Sequence, residues 1–224
     1  MVTRVYLVRH CQTVGNLTGI FQGGIDTEPS ERGLQQLELL ALRFRNIKLD
    51  KIYSSPLGRA LKTAEVINQY HGFRIETEPG IREISVGDID GRTWAEVPKL
   101  YSEAARAWND DPAEFVSPGG ETMREVFHRV QEAFLRLARE NEGRTIMLVS
   151  HGCALRNLLC FCMGKAIEDM NEVDFGGNTA VSLVEYEDGE VRLVFANDDS
   201  HLPEEWTRGS KLHQPHFPME SEKE

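Results

Sequence analysis

Two short apolar runs, each delivering a histidine, constrain this chain more than any other feature. Val5-Tyr6-Leu7-Val8 is followed by Arg9-His10, and Thr145-Ile146-Met147-Leu148-Val149 is followed by Ser150-His151-Gly152. Runs of this apolar, β-prone character read as strands buried on both faces, the pattern of a parallel sheet covered by helices. Open parallel sheets bind ligands outside the carboxyl ends of their strands, so both histidines fall where such a sheet builds a site.

The segments between alternate as that architecture requires. Ser30 is a candidate cap for a helix over about 31–45, with Leu34, Leu37, Leu40, Ala41 and Phe44 expected on its packed side. Lys51–Ser54 reads as a short strand, and Ser55-Pro56 as a cap and first-turn proline for a helix to about Tyr70, packed through Leu57, Leu61, Ala64 and Ile67. That places Arg59 just past a strand end, as it does His10. A third short strand is expected over 74–77, and 82–88 as an ordered loop with strand character. Thr93-x-x-Glu96 resembles a capping box and opens a helical region, with Trp94, Tyr101 and Trp108, that interrupts the alternation. A long helix follows over about 120–142, and another over 153–163 begins just after His151, where its free N–H groups favour an anion. Asp188-Gly189 between two alternating runs, 181–187 and 191–196, predicts a hairpin with a type I′ turn. The expected fold is an α/β three-layer sandwich: a mostly parallel sheet, helices on both faces and a helical insertion over the site. One domain over 1–200 carries the insertion at about 93–120, and 201–224 is a tail with a wrapping or partly disordered character.

Composition narrows the partners. A net charge of −11 disfavours nucleic acid and anionic membrane, and no apolar run approaches the ~20 residues of a membrane span. The chain enters a strand almost at once, leaving no room for a signal peptide, so the cytoplasm is the expected location. Cys11, Cys153, Cys160 and Cys162 match neither a disulfide framework nor a zinc knuckle and read as small buried hydrophobes. An anionic substrate would need a local cationic cluster.

Gathered strand ends supply one: Arg9, His10, Arg59 and His151. Two arginine forks, two imidazoles and helix N-termini make a pocket for a phosphoryl group. A neutral histidine beside cations, which lower its pKa, can attack phosphorus and form a covalent phosphohistidine. The leaving alkoxide then needs a proton, which Glu83, in a loop, is placed to give and later to take back from water.

These segments resemble a known family. Leu7-Val8-Arg9-His10-Cys11-Gln12-Thr13 with Asn16, Ser54-Ser55-Pro56-Leu57-Gly58-Arg59-Ala60 with Thr63-Ala64, Arg82-Glu83-Ile84 with Gly87, Gly119-Gly120-Glu121, and Val149-Ser150-His151-Gly152 are similar, in order, to the histidine phosphatase superfamily, the phosphoglycerate mutase-like group. The resemblance implies that His10 is the phosphorylated nucleophile, that Arg9, Asn16, Arg59 and His151 bind the phosphoryl group, and that Glu83 is the proton donor. Gln22, Gly23 and the Gly152 backbone N–H complete the implied pocket; His71, His128, His201, His213 and His216 match nothing catalytic. The family usually has glycine where this chain has Cys11. The rival cysteine-phosphatase loop, His-Cys-x5-Arg, fails because position 17 is Leu17. Cys11 therefore reads as a small substitute whose thiol is open to oxidation.

The resemblance leaves hydrolase and mutase to be separated. Mutases of the family carry a longer, more basic insertion with paired arginines, whereas Arg106-Ala107-Trp108-Asn109-Asp110-Asp111 has a single one. The expected activity is a phosphomonoesterase of broad specificity, acting on a small phosphomonoester with no metal or other cofactor. Trp94, Tyr101, Trp108 or Phe115 forms either a wall for the leaving group or the insertion's own core. A cofactor-dependent phosphoglycerate mutase and a non-catalytic phospholigand-binding protein stay open, as does the oligomeric state.

Overall fold

In the computed structural model, which describes residues 1–207 and 216–219, six strands form one sheet in the order β3-β2-β4-β1-β5-β6. They are β1 (Thr3–Arg9), β2 (Lys51–Ser54), β3 (Glu76–Thr77), β4 (Thr145–Ser150), β5 (Val181–Glu187) and β6 (Glu190–Asp198). The first four lie parallel, β5 pairs antiparallel with β1, and β6 closes the edge antiparallel to β5. Asp188 and Gly189 both take positive φ, 52° and 95°, as a type I′ turn demands.

The two faces are separately filled. Val8, Ile52, Met147, Val149 and Val181 point to helices α2 (Glu31–Phe44) and α3 (Gly58–Asn68), meeting Leu40, Phe44, Ala60, Ala64 and Ile67. Val5, Leu7, Ile146, Leu148 and Val184 point to α6 (Met123–Glu140) and α7 (Gly152–Cys162). On α6 the residues Val126, Val130, Ala133, Phe134 and Leu137 are all buried at helical spacing, and each large one adds roughly 1.5–3 kcal/mol of burial. A capping box between Thr122 and Glu125 fixes where α6 starts.

The expected elements are present, with four local differences. Leu34 is 50% exposed, because α2 turns its Leu37-Leu40-Ala41-Phe44 stripe inward and it is Gly33 and Gln36 that are buried near its start. The helix after Pro56 begins only at Gly58; Ser55 does not cap it, and it packs through Ala60 and Thr63 where Leu57 and Leu61 stay half-buried. The third strand shrinks to two residues, and 82–86 forms an ordered loop without strand pairing. Glu96 does accept from Thr93 N and Oγ1, yet the helix starts one residue later. The insertion is then two short helices, α4 (Val97–Leu100) and α5 (Ser102–Asp110). Two further short helices, α1 (Val14–Thr18) and α8 (Glu204–Thr207), flank the site region. Of the tail, Phe217 is buried at 2% exposure; His213 lies outside the described residues. No helix among the described residues is long and apolar enough to cross a membrane.

Candidate active site

The parallel pairing of β1 and β4 places Arg9 opposite Ser150, so the next residue of each strand brings the two histidines together, ring centroids 5.2 Å apart. Both are almost wholly buried, at 3% and 0% exposure. The Nδ1 atom of His10 lies 2.7 Å from the Cys11 carbonyl, an oxygen that can only accept, so Nδ1 carries the proton. In the neutral ring Nε2 therefore holds the lone pair, the state a nucleophile needs. Burial, first, and then the charges of Arg59 and Arg9 hold the His10 pKa well below the ordinary value. His151 is lowered likewise, again mainly by burial. Desolvation thus outweighs the neighbouring cations as the cause of neutrality.

Arg59 is 2% exposed and is held by the loop before α2: Nη1 donates to Ile25 O (2.7 Å) and Asp26 Oδ1 (2.8 Å), and Nη2 to Gly23 O (3.0 Å). Asp26 does double duty, since it also accepts from the Gly58 amide at 2.6 Å and so caps α3 from another segment. Asp90 accepts the Gly23, Gly24 and Ile25 amides at 2.8–3.0 Å, which fixes the same loop from the far side. Arg9 donates to Gly176 O at 2.5 Å and lies 5.0 Å from the Phe175 ring centroid. That approach requires Gly152, because a Cβ there would fall 2.5 Å from Phe175 and 3.1 Å from Arg9 Cζ. Arg9 Nε, Arg59 Nε and His151 Nδ1 are buried without a protein partner. Each such atom costs roughly 1–3 kcal/mol if left dry, and the two arginines that carry an unpartnered Nε both line the pocket, where an anionic guest suits them.

Glu83 closes the pocket. Its Oε1 and Oε2 accept from the Ala154 and Cys153 amides at 3.0 and 3.2 Å, so the free N–H groups of α7 hold this carboxylate and not, as expected from sequence, the anion directly. The loop carrying it is gripped from α6: Arg129 donates to the carbonyls of Gly80, Arg82 and Glu83 and to both oxygens of Glu121. Glu121 in turn accepts from the Ser85 amide and Arg82.

These groups line a pocket of about 360 Å³, the size of a small-molecule site. Arg9, His10, Asn16, Gln22, Arg59 and Glu83 are all at its wall. Asn16 accepts through Oδ1 from the Thr13 amide and from Asn178, while Gln22 is held by Thr13 and Thr27. Gly23 spends its amide on Asp90, and Gly152 and His151 sit behind the wall, the latter tied to Ser55 Oγ at 2.6 Å. Trp94 and Trp108 reach the pocket, whereas Phe115 is core and Tyr101 lies outside it. Cys11 is not at the wall: it is fully buried and burial raises its thiol to about 11, which contradicts the expectation of an oxidisable group. All four cysteines are buried and unpaired.

Residues 5–199 match the model of the histidine phosphatase superfamily, branch 1. The chain belongs to this superfamily. It is 31% identical over 212 residues to phosphoserine phosphatase 1 of Hydrogenobacter thermophilus, covering 94% of this chain and 99% of that one. It is 30% identical over 204 residues to phosphoglycerate mutase-like protein 4 of Arabidopsis thaliana, covering 89% and 87% respectively. Among solved structures, phosphoserine phosphatase from Entamoeba histolytica, in complex with 3-phosphoglyceric acid, superposes with a TM-score of 0.77 at 29% identity, covering 90% of this chain and all of that one. As a histidine phosphatase the chain is a phosphatase enzyme, with the mixed α/β fold of its structural relatives.

Sequence reasoning missed the members of this histidine phosphatase site that act by holding others: Asp26, Asp90, Arg129, Asn178 and Phe175. Their signals were weak. A lone aspartate in a loop and an arginine on the polar side of a helix carry no periodicity, and only the fold shows which loops meet.

Proposed function

We propose that this enzyme hydrolyses small phosphomonoesters through a phosphohistidine at His10. The observation that carries the reading is the Nδ1 proton donated to Cys11 O, which leaves the Nε2 lone pair for attack inside a pocket that also contains the Glu83 carboxyl group. His10 Nε2 forms a bond to phosphorus while the ester P–O bond breaks. Glu83 gives its proton to the leaving alkoxide. Water then attacks the phosphohistidine as Glu83 takes a proton from it, and inorganic phosphate leaves with His10 neutral again. Arg9, Arg59 and Asn16, at the pocket wall, hold the phosphoryl oxygens as charge shifts onto them, the preorganised stabilisation that favours the transition state, and His151 backs them against His10. Gln22 stands at the same wall, and Gly23 and Gly152 support it from behind.

A buried nucleophile and a roofed pocket favour a small substrate over a phosphoprotein loop. Relatives named for phosphoserine, and one seen with 3-phosphoglyceric acid, make phosphorylated hydroxy acids the first compounds to try. We treat residues 1–200 as one catalytic unit, because the insertion and the strands share a single packed cluster. Four unpaired cysteines fit a reducing compartment, and we place the enzyme in the cytoplasm. A mutase is the second reading, raised by the Arabidopsis relative. Against it, the insertion's Arg106 is not among the residues lining the pocket.

Purified protein is given p-nitrophenyl phosphate, then 3-phosphoglycerate with a trace of 2,3-bisphosphoglycerate. Release of phosphate without isomerisation is the expected result. Isomerisation far above hydrolysis, or no turnover of either, overturns it.

A further inference from the structure

The cations at the phosphoryl end are engaged with the protein; a third guanidinium in the same pocket is not. Arg32 lines the pocket and, among the described residues, makes no ion pair or hydrogen bond. Its neighbours fix where it stands. Gly33 abuts the backbone of the nucleophile loop so closely that a Cβ there would lie 2.0 Å from Gln12 O, and Gln36, one turn on, accepts from the Gln12 amide at 2.9 Å. The first turn of α2 is thereby clamped against the segment that follows His10. Arg32 is exposed while His10 and Arg59 are nearly buried, so it stands at the rim and they stand at the floor.

The Arg32 guanidinium lies 5.6 Å from the ring centroid of Trp206, which lines the pocket as well. Stacking uses the face of the guanidinium and leaves its N–H edge free for a planar anion. An acidic chain of net charge −11 has many carboxylates, and surface arginines such as Arg124 and Arg192 pair with them, but among the described residues none pairs with Arg32. The other wall, Ile20, Phe21 and Trp94, is apolar and suits a short carbon skeleton between the two charged ends.

We propose that Arg32, seated on Trp206, binds a second anionic group on the alcohol half of the substrate and so selects phosphomonoesters whose leaving group is itself charged. This rests on the phosphatase reading above. At a rim exposed to water a charge-assisted contact is worth roughly a factor of ten.

The test compares kcat/KM within two pairs of compounds. 3-Phosphoglycerate and glycerol 3-phosphate differ by a carboxylate, and fructose 1,6-bisphosphate and fructose 6-phosphate by a second phosphate. In wild type the more anionic member of at least one pair is preferred, and Arg32→Gln lowers that preference about tenfold. Arg32→Lys restores part of it, and Trp206→Leu, which removes the seat but not the charge, lowers it less. A loss confined to the first pair assigns a carboxylate, and one confined to the second assigns a phosphate. Ratios that stay at the wild-type value in Arg32→Gln overturn the inference while leaving the phosphatase reading intact. No turnover of any of the four compounds by wild type overturns that reading instead.

Discussion

At the scale of single residues the site depends on imidazoles kept neutral by burial. His10, His151 and His201 all have pKa values below the ordinary 6.5, His201 at about 4, with desolvation as the largest cause for each. The sign follows directly. Between the folded and unfolded pKa values the unfolded chain binds more protons, so stability is complete above about pH 6.5 and is lost as pH falls below it. Carboxylates add to this only at lower pH. We therefore expect the melting temperature to hold above pH 6.5 and to fall steadily from there to pH 5. His201→Gln, which keeps a hydrogen-bonding group that does not titrate, makes that fall shallower. A melting temperature flat from pH 7 to 5 contradicts the assignment. Cys11 lies in the same loop but contributes through its backbone: its carbonyl receives His10 Nδ1, and its amide donates to Thr63 Oγ1 at 3.1 Å. Cys11→Ser leaves both bonds in place, so kcat/KM with p-nitrophenyl phosphate is expected to stay within about threefold of wild type. A loss of the size expected for His10→Ala, on the order of 10⁴-fold, would return the thiol to the chemistry.

At the scale of elements, Arg9, Arg59 and the loop of the proposed proton donor Glu83 are each held by a segment distant in sequence. Glu83 sits in a loop with no ladder of its own, and Arg129 from α6 supplies the missing partners for its carbonyls. Arg129→Met keeps the aliphatic length and removes those bonds. Its effect is expected to depend on the leaving group: on the order of 10² in kcat for an alkyl phosphate, which needs a proton, and much less for p-nitrophenyl phosphate, whose phenolate leaves unaided. Equal losses on both would mean that Arg129 supports the fold and not the proton donor. This division also explains what could be read from sequence. Strand runs and the α6 stripe announce themselves through period and chemistry, and so do the histidines and arginines at strand ends. The true start of α3 did not, because its cap is Asp26, 32 positions away. The exposed Leu34 and the unpaired 82–86 loop escaped for the same reason: long-range packing decided them, against a local pattern that pointed elsewhere.

For the whole molecule, an acidic chain presents a recessed cationic floor to an anionic substrate. The parallel sheet gathers the floor from β1, β2 and β4, and the antiparallel β5–β6 edge returns the chain to the mouth of the pocket, where Leu202 and Trp206 form part of its wall. On the insertion side Phe217 packs against Phe21, Trp94 and Trp108, and Asn109 pairs with its main chain at 2.8 and 2.9 Å. The tail and the insertion thus narrow the entrance together, which matches a small substrate and a nucleophile shielded from water. The most direct measurement of this account is the fate of the phosphoryl group itself. Enzyme mixed with p-nitrophenyl phosphate, quenched in alkali within milliseconds and mapped by mass spectrometry, is expected to carry an acid-labile phosphate on His10, absent in His10→Ala. Phosphate found on Cys11 or any other residue, or steady turnover by His10→Ala, would contradict it.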